Sequence, residues 1–140
     1  MTQSKYNNHD SVGVRLGKRS YDIVIHPGGI KNLGGYLQKL GYSGKVGIIT
    51  NPIIQKLYGR IVELSLKQAG FQCLMVCLPD GERAKNLRWV SYVLDQLMAA
   101  RFERQSVLVA LGGGVIGDIT GFVASVYLRG IPFVQIATTL

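Results

Sequence analysis

Glycines at positions 112, 114 and 117 of the run Gly112-Gly113-Gly114-Val115-Ile116-Gly117-Asp118 are spaced to bring bare backbone against a diphosphate. The first lets the chain turn sharply, the second admits an anion where a Cβ would stand, and the third lets the following helix pack close to the preceding strand. On the N-terminal side, Ser106-Val107-Leu108-Val109-Ala110-Leu111 reads as that strand, and Ile119 to Leu128 is compatible with the helix. Amides at the start of such a helix face the anion, with the positive end of the helix dipole behind them. An ordinary glycine-rich connection is the plain alternative in a chain with 18 glycines. The acidic residue that a dinucleotide fold usually places about 20 positions further on is missing, because nothing acidic follows Asp118.

The segments around this turn alternate between strand and helix patterns. Tyr21 to Ile25 reads as a strand ending at the turn His26-Pro27-Gly28-Gly29, followed by a short helix with Ile30, Leu33, Leu37 and Leu40 inward and Gly41 at its end. Lys45 to Thr50 is a second strand. Asn51-Pro52 then caps and opens a helix that turns Ile54, Leu57, Tyr58, Ile61 and Leu64 inward and stops at Gly70. Phe71 to Leu78 reads as a buried strand, Pro79-Asp80-Gly81 as a turn, and the next segment as a helix reaching about Arg101 with Leu87, Val90, Leu94, Leu97 and Met98 on one face. Ile131 to Ile136 closes the series as a strand. Strands separated by helices of about ten residues or more imply parallel strands joined by helical crossovers, hence an α/β fold. Residues 1–11 read as a polar N-terminal tail and residues 12–140 as one domain.

Composition narrows the function classes. The 140 residues suffice for one compact domain, and with 47% apolar and 17% charged residues the chain is expected to fold. A net charge of +8 suits nucleic acid, an acidic membrane or a phosphorylated small molecule. The basic clusters Arg15 to Arg19 and Arg83 to Arg88 lack the interleaved aromatics of a base-stacking surface, so no nucleic-acid partner is expected. A membrane helix over Ser106 to Leu128 would bury Asp118 at mid-span, at a cost of about 2.5–3.5 kcal/mol, so no membrane partner is expected. Cys73 and Cys77, four residues apart on a strand, stand on the order of 13 Å apart, too far for a disulfide. Reduced thiols and a polar, leaderless start point to the cytoplasm. His9 in the tail and His26 at a turn do not make a metal site, which needs three or four convergent ligands.

Several further motifs accompany the glycine turn: Arg19-Ser20-Tyr21-Asp22-Ile23, Pro79-Asp80-Gly81-Glu82 with Lys85, Gly121-Phe122, Tyr127-Leu128-Arg129-Gly130 and Thr138-Thr139-Leu140. In order and spacing the set resembles the 3-dehydroquinate synthases of the shikimate pathway, from about Val12 to the last residue. Ala137 departs from the proline that many members carry there, and His26 departs from the small residue usual before the Pro-Gly pair. The resemblance implies a Rossmann-like parallel sheet flanked by helices, incomplete without a C-terminal helical metal-binding domain. In such enzymes NAD is a recycled redox cofactor, and a divalent metal, zinc or cobalt, is held by residues that lie beyond this chain. The implied substrate is a seven-carbon phosphorylated sugar acid, which loses phosphate and closes to 3-dehydroquinate in a homodimeric enzyme.

Carried over by position, Asp80, Gly81, Glu82 and Lys85 match the loop that contacts the dinucleotide. Glu82 suits a ribose diol, supplying the acid missing after the glycine turn, and Lys85 suits a phosphate oxygen. Gly113, Gly114, Val115, Ile116, Gly117 and Asp118 match the turn over the pyrophosphate and nicotinamide. Thr138 and Thr139 match two cofactor-contacting threonines, Asn51 matches a position near the adenosine half, and Arg129 matches an arginine that reaches substrate phosphate in a neighbouring active site. Each has a plain alternative: Asn51 and Asp118 as helix caps, the acids near Glu82 as an exposed helix start, the threonines as β-formers, and Arg129 as a cation near a helix C-terminus. No catalytic residue is expected within the chain, which resembles the N-terminal part of an enzyme inactive without the rest. A related sugar phosphate cyclase, such as a 2-deoxy-scyllo-inosose synthase, and a non-catalytic NAD-binding remnant remain open alternatives.

Overall fold

The computed structural model describes residues 10–139, so His9 and most of the tail lie outside the described residues, as does Leu140. Asp10 and Ser11, assigned to that tail by composition, instead open a strand, β1 (Asp10–Val14), which pairs antiparallel with β2 (Tyr21–Ile25). This hairpin contributes to neither hydrophobic core, and Val12, Tyr21, Ile23 and Ile25 on one of its faces are about half exposed. An Arg15–Asp22 ion pair of 3.1 Å joins the ends of its two strands.

The body is a four-stranded parallel sheet in the order β4-β3-β5-β6, from β3 (Lys45–Thr50), β4 (Gln72–Cys77), β5 (Val107–Gly112) and β6 (Phe133–Ala137). The two central strands are buried on both faces, which explains why β5 reads as a continuous apolar run rather than an alternation. Their side chains alternate between two cores. Val46, Ile48, Val107, Val109 and Leu111 face one, and Ile49, Leu108 and Ala110 face the other. Full burial of one such Leu or Ile contributes about 1.5–3 kcal/mol.

On the first face lie α1 (Leu33–Lys39) and a longer helical run from the end of β3: α2 (Pro52–Ile54), a π turn (Gln55–Gly59) and α3 (Arg60–Gln68). On the second face lie α4 (Leu87–Ala99) and α5 (Gly114–Val126). Gly41 at φ +85° and Gly70 at φ +86° end α1 and α3 in the left-handed region, as their positions in the sequence predict.

Three expectations are corrected. Leu40, Leu57, Leu64, Leu87 and Met98 do not face inward but are largely exposed, Leu87 at 75%. The buried rows are Val62, Ser65 and Leu66 on α3, and Val93 and Leu97 on α4. The strand carrying Cys73 and Cys77 lies at the edge of the sheet, where both thiols are free and half-buried. Burial still pushes both thiols up from their ordinary value, Cys73 further under the influence of Glu63. Finally, α5 begins at Gly114 rather than near Ile119, so the turn is shorter than its glycines imply.

Candidate functional site

The sheet order reverses direction between β3 and β5. The chain leaves β3 toward one face through α2, and leaves β5 toward the other through α5, so the two connections part and open a crevice at the C-terminal ends of the strands. Doubly wound α/β proteins bind ligands at such a switch point. Here the crevice is an open cleft of about 230 Å³, lined by Asn51, Ile53, Ile54, Pro79, Asp80, Gly81, Gly113 to Ile116, Thr138 and Thr139. Beneath it the buried Thr50 hydroxyl donates to the Leu111 carbonyl at 2.7 Å and fastens β3 to β5.

One wall is the start of α5. Gly113 is its N-cap and offers no side-chain hydrogen bond, and the first intrahelical bond described there runs from Gly117 N to Gly113 O at 3.1 Å. The amides of Gly114, Val115 and Ile116 therefore have no helical partner. A Cβ built on Gly114 would meet nothing within 4 Å, so this glycine borders open space. Gly112 adopts φ +159°, at the limit of the glycine-favoured region, and makes the turn. Gly117 lies outside the cleft lining. A Cβ there would meet only the side-chain amide of Gln135 on β6, which can swing aside.

The facing wall comes from β3 and β4. Asn51 caps α2, its Oδ1 accepting from Ile54 N at 2.9 Å, and its Nδ2 donates to Asp80 Oδ1 at 3.2 Å. Asn51 is thus both the helix cap of the plain alternative and a tie to the next loop. Gly81, at φ +85°, supports the turn that follows Asp80. At the end of β6, Thr138 and Thr139 complete the lining, and the Thr138 hydroxyl is buried with no hydrogen-bond partner among the described residues. A buried hydroxyl left unpaired costs about 1–3 kcal/mol, so this group, beside the free amides of the α5 start, is open to a further hydrogen bond.

Glu82, Lys85 and Asp118 lie outside the cleft lining and form one ion cluster. Lys85 Nζ is 2.8 Å from Asp118 Oδ2 and 3.4 Å from Glu82 Oε2. The hydrogen bond to Asp118, with that to Glu82, holds the Lys85 ammonium above its usual pKa although partial desolvation opposes this. Asp118 is in the second turn of α5 and caps nothing. Arg129 stands at the opposite end of α5, roughly 20 Å along the helix axis from Gly114 at 1.5 Å per residue. It is exposed, and it follows Leu128 in the left-handed region at φ +67° and +48° respectively. The structure does not bring Arg129 to this cleft.

Ile53, which the sequence did not mark, and Ile54, expected only as a core residue, join the lining. The available signal was their place in the first turn after a central strand. Among the described residues no group of three His, Cys, Asp or Glu side chains could hold a metal ion, and no helix is long and apolar enough to cross a membrane.

Comparison with known proteins agrees with this geometry. Residues 75–140 match a family model described as 3-dehydroquinate synthase N-terminal. The chain is 49% identical over 131 residues to a 3-dehydroquinate synthase of Thermodesulfovibrio yellowstonii, covering 94% of this chain and 36% of that protein. To the 3-dehydroquinate synthase of Microcystis aeruginosa it is 47% identical over 129 residues, covering 92% of this chain and 35% of the relative. The chain therefore spans about a third of the length of these relatives. Among solved structures, ValA, a 2-epi-5-epi-valiolone synthase from Streptomyces hygroscopicus with NAD+ and Zn2+ bound, superposes with a TM-score of 0.74 at 30% identity, over 90% of this chain and 34% of that one. A 2-deoxy-scyllo-inosose synthase complexed with carbaglucose-6-phosphate, NAD+ and Co2+ shares the fold at a TM-score of 0.80 and 18% identity, over 93% of this chain and 35% of that one. With its parallel sheet, switch-point cleft and glycine turn, the chain is similar over nearly its whole length to 3-dehydroquinate synthases, and its second half matches the model of their N-terminal domain.

Proposed function

We propose that the switch-point cleft binds NAD, and that the chain is the cofactor-holding part of a cytoplasmic, homodimeric lyase that makes 3-dehydroquinate from a phosphorylated seven-carbon sugar acid. The observation that carries this reading is the Thr138 hydroxyl, without a hydrogen-bond partner among the described residues, in a cleft it shares with the uncapped start of α5. The residues present fit the cofactor. Gly114, Val115 and Ile116 offer amides to a pyrophosphate, Thr138 and Thr139 offer hydroxyls, and Asp80 and Glu82 offer acceptors to ribose hydroxyls. Ile53, exposed at the cleft, provides an apolar surface for a base. Bound NAD supplies a hydride acceptor and donor for the sugar. The chain's own part is to fix its position and to meet its phosphates with fixed dipoles.

Arg129, exposed and free of any ion pair among the described residues, is the proposed phosphate ligand of a neighbouring subunit's substrate. The donors among the described residues do not fit a divalent metal. Relatives at 44–49% identity favour a 3-dehydroquinate product over the valiolone chemistry of the 30%-identical ValA.

Titration of the 140-residue chain with NAD, followed by calorimetry, tests the reading. Saturable binding supports it, and no binding at millimolar NAD by a chain shown to be folded overturns it. Thr138→Val sharpens the test, because valine keeps the shape and removes the unpaired hydroxyl. Free of ligand, this variant is expected to be about 1 kcal/mol more stable, while its NAD affinity falls by about two- to ten-fold.

A further inference from the structure

We infer that Lys85 is a positioning residue: with Asp118 it straps the loop after β4 to α5 across the end of β3, and in that role it does not ligate phosphate. This rests on the assignment of the cleft to NAD. The strand order sets the geometry. β4 and β5 are not neighbours, since β3 stands between them, and the loop following β4 and the helix following β5 flank the end of β3. A contact of 2.8 Å between Lys85 Nζ and Asp118 Oδ2 closes that gap by side chains alone.

The loop is held at its other end as well, where Asn51 Nδ2 donates to Asp80 Oδ1 at 3.2 Å. Between the two ties lie Gly81, in the cleft lining, and Ala84, fully buried in the second core. Lys85 has its ammonium between two carboxylates, Asp118 and Glu82. One positive charge is thus matched by two negative ones, and an approaching phosphate meets a cluster of net charge −1. An ammonium so engaged has little left to offer an anion. What the cluster does provide is a fixed direction for the Glu82 carboxylate and a fixed loop facing the start of α5.

A double-mutant cycle on the 140-residue chain tests the strap, with NAD affinity and amide hydrogen exchange at residues 81–86 as readouts. The expected result is that Lys85→Gln and Asp118→Asn each weaken NAD binding by about two- to five-fold, the range for an exposed ion pair. The double variant is then no weaker than either single, and Lys85→Arg stays within about two-fold of the parent. Amide exchange at Ala84 and Lys85 quickens in both single variants even without NAD. If Lys85 were a phosphate ligand, Asp118→Asn would release it and tighten binding. That result, multiplicative losses in the double variant, or unchanged loop exchange overturns the inference. A parent that binds no NAD but shows faster loop exchange in both variants keeps the strap and removes the cofactor reading.

Discussion

Replacing Gly114 by valine is expected to leave the ligand-free fold intact while reducing NAD affinity by about ten-fold or more, a loss of about 1.4 kcal/mol or greater. The two effects separate because of where this glycine stands. Its added side chain would meet no protein atom within 4 Å, so no clash opposes folding. As the first residue of α5 it also loses chain entropy on folding, and a residue other than glycine reduces that loss by a few tenths to about 1 kcal/mol. The new methyl groups then occupy the space through which a phosphate must approach the amides of Val115 and Ile116. Calorimetric titration alongside thermal unfolding gives both numbers. Undiminished NAD affinity in the folded variant would place the pyrophosphate elsewhere, and a large loss of stability would show that the space is not free.

Gly34→Val is expected to act in the opposite way, on the fold and not on the cleft. Gly34 on α1 rests on α3, with its amide donating to Ser65 Oγ at 3.0 Å. A Cβ at this position would run into the backbone carbonyl of Ser65 and come within 2.6 Å of Ala69 Cβ. A backbone carbonyl in a helix cannot swing aside, so the two helices must separate. The expected cost is about 3 kcal/mol, the upper end for overpacked sites, against a total stability of roughly 5–15 kcal/mol. In a chain of this size that lowers the melting temperature by roughly 10 °C. A melting temperature within a degree or two of the parent would show that α1 and α3 are not in the contact described.

The same contact explains part of what the sequence made legible. Two glycines in a seven-residue helix argue against helix by propensity, yet Leu33 and Leu37 at four-residue spacing announced it, and the close crossing over Ser65 gives Gly34 its reason. That the glycines at a strand end, the Asn-Pro helix start and the paired threonines converge on one cleft was legible, because these residue types have few other uses together. The inward face of the helix after β3 was not. A π turn over Gln55–Gly59 inserts an extra residue into the helical count, so the stripe that begins at Ile54 passes to Val62, Ser65 and Leu66 and leaves Leu57 58% exposed. Nothing in a 3.6-residue period signals such a shift. β1 was missed because Asp-Ser-Val-Gly-Val has weak strand character and gains its pairing only from β2. The strap over β3 was out of reach too, since which strands are neighbours is decided by contacts distant in sequence.

The order of the four strands also bears on how the molecule assembles. β3 with β4, and β5 with β6, are consecutive units each joined through its own helix, whereas Val46 pairs with Val107 across the two halves of the chain. Closing that long interval costs more entropy than either local step, so the β3–β5 seam is expected to zip last. The crevice exists only once that seam has formed. A ligand seated there draws its stabilisation from the finished molecule and none from its halves, acting as a clasp whose grip rises with the logarithm of its concentration.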